Sequence, residues 1–274
     1  MTDAIKSMGL YPRADRILKD LGHLGYGPGD PVDVAVLNQF DQLHYHGTEA
    51  IDAAIAACGI KAGDKVLEIG SGWGGCARYL AHSTGCHVTA IELQEDYNAI
   101  AEGLTARAGL ADQVTHVQAD FLEVPLPERG FDHVVSWLAL FHIPDRPACL
   151  SRIAGALKPG GSLFAEDLYH LKSPPDDEIA SFQAHLFPNS LVGWETYRSG
   201  LERAGFGGVE LTDMSEDWTR FTAGRLKAFH ASKADYKVVH GAYGYALIEG
   251  FYSRMAGYLA SGLVGGVKVW AALD

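Results

Sequence analysis

The chain has 274 residues, 47% of them hydrophobic, enough to bury a substantial core as one large domain or two small ones. A formal charge of -12 with no basic stripe argues against nucleic acid or another polyanion as partner. The few cations alternate with acids, as in Arg13, Asp15, Arg16, Lys19 and Asp20, the pattern of a solvated helix face. Four dispersed cysteines form no Cys-x-x-Cys pair, so neither a zinc spacing nor a disulfide framework is expected. The stretch MTDAIKSMGL lacks an apolar targeting core, and nowhere do 18 uncharged apolar residues run together. A cytoplasmic protein with no membrane segment is the expectation.

In chain order, helical patterns come first, over Ala14–Tyr26 and Asp33–Tyr45, with Thr48 placed to cap a further helix. From Lys65 the pattern alternates. The strand-like run KVLEIG passes through Gly70-Ser71-Gly72-Trp73-Gly74-Gly75 into a helix, and CHVTAIE, QVTHVQAD and FDHVVSWLAL follow as strands separated by helical segments. DRPACLSRIAGALKPGG reads as a helix with Pro147 in its first turn and a Lys-Pro-Gly-Gly stop, before the strand GSLFAEDLY. Strand and helix alternating at this rhythm predict βαβ units and a parallel sheet. The remainder departs from it: strands over Gly208–Met214 and Val264–Leu273 enclose a long helical stretch. The expected divisions are a helical lid over 1–60, a core over 61–170 and an acceptor cap over 171–274, all in one α/β domain.

Glycine after a parallel strand lets the backbone turn sharply and approach a ligand. In open α/β sheets that ligand sits outside the carboxyl ends of the strands. Gly70-x-Gly72-x-x-Gly75 also fits a dinucleotide fingerprint, and Glu92, ending the second strand, suits a ribose diol in either kind of site. Three features favour a nucleoside ligand over NAD. Glu68 precedes the first glycine by two residues, where a dinucleotide strand is apolar. Asp120-Phe121 after the third strand pairs a carboxylate with a ring, and the chain lacks a second mononucleotide-binding half.

The motif Glu68-x-Gly70-x-Gly72-x-Gly74, with Glu92 and Asp120-Phe121, resembles the class I S-adenosylmethionine-dependent methyltransferases. The resemblance covers Glu49 to Tyr169 well and Val209 to Leu273 more loosely. It implies a Rossmann-like seven-stranded methyltransferase sheet with an antiparallel last strand, an N-terminal helical lid and a helical insertion before that strand. It further implies that Gly70, Ser71, Gly72 and Gly74 hold the methionine end of S-adenosyl-L-methionine. Glu68 would then lie beneath the loop, Glu92 on the ribose, and Asp120 and Phe121 on the adenine. The stretch DQLHY-x-GTEA and the tail GLVGGVKVWAAL are similar to a small-molecule branch, around the sarcosine and dimethylglycine N-methyltransferases and related terpenoid and indole C-methyltransferases. In that branch the lid covers the cofactor, which would bring Tyr45 and His46 near the sulfonium.

Sulfonium cations sit favourably on aromatic faces, so Trp137 and Phe141 in SWLALFHIPDR are candidates for that wall, and His142 for a base. In FAEDLYH, Glu166 and Asp167 must point to opposite faces. The resemblance selects Glu166 as the catalytic carboxylate, with Tyr169 lining the acceptor pocket. His44 and His46 give a His-x-His spacing with no third ligand to name, and no metal is expected. The expected reaction is methyl transfer to a small molecule at carbon or nitrogen, carbon preferred for the ring-rich cap and Glu166. O-methylation and, more distantly, an NAD-dependent oxidoreductase are the alternatives. An anionic acceptor would call for cations near the pocket, with Arg146, Arg198, Arg203 and Arg254 as candidates, and the stretch Leu226–Phe229 suggests self-association.

Overall fold

The computed structural model describes residues 13–173 and 175–274; residues 1–12 of the expected lid lie outside them. Among the described residues three helices precede the sheet: α1 (Arg16–His23), α2 (Val34–Leu37) and α3 (Thr48–Cys58). The alternating core follows as β1 (Lys65–Ile69), α4 (Gly75–Thr84), β2 (His87–Glu92), α5 (Glu95–Arg107), β3 (Val114–Gln118), β4 (Phe131–Trp137), α6 (Arg146–Ala156) and β5 (Leu157–His170). Beyond it come α7 (Asp176–His185), α8 (Trp194–Arg203), β6 (Phe206–Asp213), α9 (Ser215–Ala231), α10 (Lys233–Ala260) and β7 (Val264–Leu273). The seven strands form one sheet in the order β3-β2-β1-β4-β5-β7-β6, parallel except for β7. This is the expected α/β architecture.

The neighbours β1 and β4 lead to helices on opposite faces, so a crevice opens at their carboxyl ends, where ligands settle in such sheets. Two apolar layers flank the sheet. Leu67, Ile69 and Val134 pack with α6 and α8 on one side, and Val66, Val88 and Val135 pack with α3 and α4 on the other. A third cluster joins Phe182, Trp218, Phe229 and Tyr258 of the cap to Leu168 of β5. The lid is tied down by α1 and α2, whose Ile17, Leu21 and Leu37 pack on Trp73 and Tyr97. Among the described residues no helix is long and apolar enough to cross a membrane.

Local differences from the sequence reading have clear causes. Thr48 is the first residue of α3 rather than its cap, because the chain enters through His46 and Gly47, both at positive φ. The stop Lys-Pro-Gly-Gly belongs to β5. Pro159 disfavours helix at Lys158, and Leu157 already pairs with Phe131 of β4. Pro147 does open α6, where Asp145 caps by accepting from the Ala148 amide at 3.1 Å. Phe229 of the stretch expected to self-associate is buried inside the cap, stacked on Tyr245 at 4.9 Å.

Candidate active site

The turn from β1 into α4 is built for close approach. Gly70 has φ +75° and Gly72 φ +54°, and a Cβ on Gly70 would stand 2.3 Å from that of Ala139. Ser71 and Gly70 hang their amides on the Ile91 carbonyl, 3.0 and 2.9 Å away, which holds the loop against the end of β2. At that end Glu92 is buried, and its carboxylate accepts from the Gly72 amide at 2.7 Å and the Gln94 amide at 2.8 Å. Burial pushes its pKa up, against the pull of these amides. Each oxygen keeps a lone pair for a further donor.

One cavity runs across the carboxyl ends of β1, β2 and β4. Asp120 and Phe121 line one end, Glu92 and the Gly70–Gly72 turn the middle, and Trp137, Phe141 and His142 the other end. Tyr45 of the lid closes over it. Phe121 is fixed from behind by Arg152, whose guanidinium lies 5.7 Å from the ring centre and donates to the Phe121 carbonyl at 2.9 Å. Glu68 lies in the cavity floor, 2% exposed, its Oε2 without a hydrogen-bond partner and its pKa pushed up to about 8, mainly by burial.

His142 has a fixed orientation. Its Nδ1 lies 3.0 Å from the Phe187 carbonyl, which can only accept, so Nδ1 carries the proton and Nε2 keeps a lone pair in the neutral ring. Burial lowers its pKa to about 4, so the neutral form persists at neutral pH. The backbone on either side is anchored. The Phe141 amide donates to Asp167 at 3.1 Å, and the His142 carbonyl accepts from Asn189 at 2.7 Å.

Four expected site residues do not line this cavity. Gly74 caps α4, and a Cβ there would meet the His116 ring at 2.5 Å, so its glycine serves packing. His46 donates through Nε2 to the Asp217 carboxylate at 2.6 Å and packs its ring against Phe221. Tyr169 faces the opposite side of β5, edge-on to Trp194. Glu166 does face the lid side, between Trp137 on β4 and Lys268 on β7. It is nonetheless 4% exposed with Oε2 unpartnered, and burial raises its pKa to about 7, against Lys268 and reinforced by Asp217. The carboxyl is thus a buried sheet group beside the cavity wall, within electrostatic reach of Cys76 in the lining.

None of the four expected cations lines the cavity, and two of them are held elsewhere. Arg146 pairs with buried Asp167 at 3.0 Å and lies 3.9 Å from the Tyr197 ring, and Arg198 donates to the Val209 carbonyl. The cation that does line the cavity, Arg225 of α9, was missed. So were Asp41 and Leu43 of the lid and Met255 of α10. Of the cap's many rings, Phe251 reaches the cavity while Phe182, Tyr197, Phe229 and Tyr245 pack the cap and its support.

The sheet order, with its antiparallel β7, and the cavity over a glycine turn define a class I methyltransferase fold. Residues 66–161 match the model of the methyltransferase domain. It is 33% identical over 152 residues to glycine/sarcosine/dimethylglycine N-methyltransferase of Actinopolyspora halophila, a match covering 56% of this chain and 27% of that protein. With methyltransferase GfsG of Streptomyces halstedii it shares 29% identity over 75% of this chain and 74% of that one. Among solved structures, phosphoethanolamine N-methyltransferase 2 of Haemonchus contortus, in complex with phosphomonomethylethanolamine and S-adenosylhomocysteine, shares the fold. Its TM-score is 0.79 at 20% identity, over 85% of this chain and 54% of that one. The chain thus spans about a quarter of the first of these proteins and about half of the third.

Proposed function

We propose that this chain is an S-adenosylmethionine-dependent methyltransferase acting on a small molecule, at a nitrogen, carbon or oxygen atom that sheds a proton to His142. The observation that carries the reading is the continuous cavity from Asp120 and Phe121, past Glu92 and the glycine turn, to His142. The donor set along it suits an adenosyl group. Glu92 has lone pairs left for a ribose diol, Asp120 can accept from an exocyclic amine, and the Phe121 ring offers a stacking face. The buried Ser71 hydroxyl and Glu68 Oε2, both without partners, supply polar contacts at the methionine end.

When bound, the cofactor supplies an electrophilic methyl group. This chain's residues bind and orient the two reactants, and such positioning provides much of the acceleration. Tyr45 and Leu43 of the lid exclude water from above. The neutral Nε2 of His142 takes the proton as the acceptor becomes nucleophilic.

Carbon was the favoured target in the sequence reading for the ring-rich cap and for Glu166, which was expected to stabilise and deprotonate a cation. Glu166 does not line the cavity, and Arg225 does. A positive charge developing on carbon or on a neutral amine would meet that guanidinium alike, so Arg225 bears equally on carbon and nitrogen acceptors. Titration of the chain with S-adenosylhomocysteine, wild type against Glu92→Ala, tests the reading. Micromolar binding that the substitution weakens by about 10²-fold or more is expected from the loss of charge-assisted hydrogen bonds. A folded wild type that ignores S-adenosylhomocysteine and takes up NAD would overturn it.

A further inference from the structure

Arg225 lines the acceptor end of the cavity with its Nε buried and without a hydrogen-bond partner. Its guanidinium carbon lies 4.3 Å from the centre of the Tyr252 ring, 4.9 Å from Tyr45 and 5.5 Å from Phe221. Rings packed around a guanidinium hold it in place and leave its charge intact. Among the described residues no carboxylate forms an ion pair with it. Of the acids of the cavity, Asp41 pairs with Arg78, Glu92 accepts two amides and Asp120 accepts the Leu122 amide, while burial pushes the pKa of Glu68 in the floor up to about 8, so that it carries little charge at neutral pH.

A cation in a largely apolar chamber of a chain carrying -12 formal charge is unusual. Its desolvation is offset when an anion joins it. The walls around it, Phe141, Leu168, Leu186, Phe251 and Met255, offer no other charge. A single guanidinium presents a planar fork that matches a planar, singly charged oxyanion, whereas a phosphate dianion would keep half its charge unmatched.

Resting on the methyltransferase reading, we propose that Arg225 receives a carboxylate on the methyl acceptor, whose remaining body is apolar and fills the ring-lined chamber. Arg225 is thus the specificity-determining residue of the acceptor site. It selects acceptors of one negative charge and fixes which end of the molecule lies away from His142.

The test uses the full chain saturated with S-adenosylhomocysteine. A panel of arylalkyl carboxylates from phenylacetate to 5-phenylpentanoate is titrated by calorimetry beside their primary amides and phenethyl phosphate. The expected result is carboxylate binding at least about tenfold tighter than the matching amide. Arg225→Met should abolish that preference, and Arg225→Lys should retain part of it, both with unchanged S-adenosylhomocysteine affinity and thermal midpoint. Equal binding of carboxylates and amides, no binding by any carboxylate at millimolar concentration, or a preference surviving Arg225→Met would overturn the proposal. Tighter binding of phenethyl phosphate than of every carboxylate would overturn the assignment of the anion. Loss of S-adenosylhomocysteine binding by the wild type would instead sink the methyltransferase reading, so the two failures are distinguishable.

Discussion

Asp41 and Arg78 meet at 2.8 Å with both side chains wholly sealed from solvent, joining the lid to the helix that follows the glycine turn. The same Asp41 backs onto Gly75, where a Cβ would come within 2.7 Å of its carbonyl oxygen. Lid and turn therefore fit only together. Arg78 also donates to Thr105 at 3.2 Å, so α5 shares the junction.

Breaking this pair from one side should be costly. Asp41→Asn is expected to destabilise the chain by about 3–5 kcal/mol, since a buried guanidinium is left uncompensated. Arg78→Met in the same chain should recover a large part of that loss. Urea denaturation of the two single variants and the double variant measures the coupling, and simple additivity would show that the pair is not a unit.

His142→Gln should lower turnover by roughly 10²–10⁴-fold with S-adenosylhomocysteine affinity kept. The histidine pKa is lowered to about 4, so wild-type rates should stay level across pH 6 to 8 and fall only toward pH 4. A steady-state pH profile checks this, and a rate inflection near 6.5 would contradict the buried neutral ring.

Glu166→Gln is expected to retain turnover, because the carboxyl lies outside the cavity lining. Its effect should appear in stability. Burial raises the folded carboxyl's pKa to about 7 from an ordinary value of 4.5, so between the two the native state holds a proton that the unfolded chain has released. Stability from this group is full below about 4.5 and lost as pH rises toward 7. Thermal midpoints of wild type and variant should therefore diverge at pH 8 relative to pH 5, in the variant's favour. A turnover defect with a parallel pair of stability curves would restore Glu166 to the chemistry.

Gly70→Ala should lower both stability and cofactor affinity. The new methyl would stand 2.3 Å from Ala139 Cβ on a residue at φ +75°. Adding Ala139→Gly removes the contact but not the backbone strain, which costs about 1 kcal/mol for a non-glycine residue. Differential scanning calorimetry of the series should give partial recovery, and full recovery would assign the whole defect to the clash.

The sheet was legible because its signals are local: β-branched runs at period two, glycine after β1 and helical stretches at the expected spacing. Glu92, Asp120 and the glycine turn were legible because their spacing along the chain mirrors their places at successive strand ends. The acceptor wall was not. Arg225 sits on a helix whose periodicity records which face is buried, not what it is buried against. Glu166 shows a different limit: alternation along β5 separates it from Asp167, but Leu168, two residues on and on the same face, is the one that lines the cavity. The Lys-Pro-Gly-Gly segment misled because its stop signal ends a helix equally well from inside the next strand.

The bond from the Gly72 amide to Glu92 has a consequence for how a nucleoside is weighed. One carboxylate both faces the ribose position and braces the turn meant for the amino-acid end. A ligand that draws on Glu92 also alters what holds Gly72, so the two halves of the molecule are read as one word rather than letter by letter. An analogue stripped of its ribose hydroxyls would lose more than its own two contacts, and free methionine and adenosine together would not add up to the intact ligand.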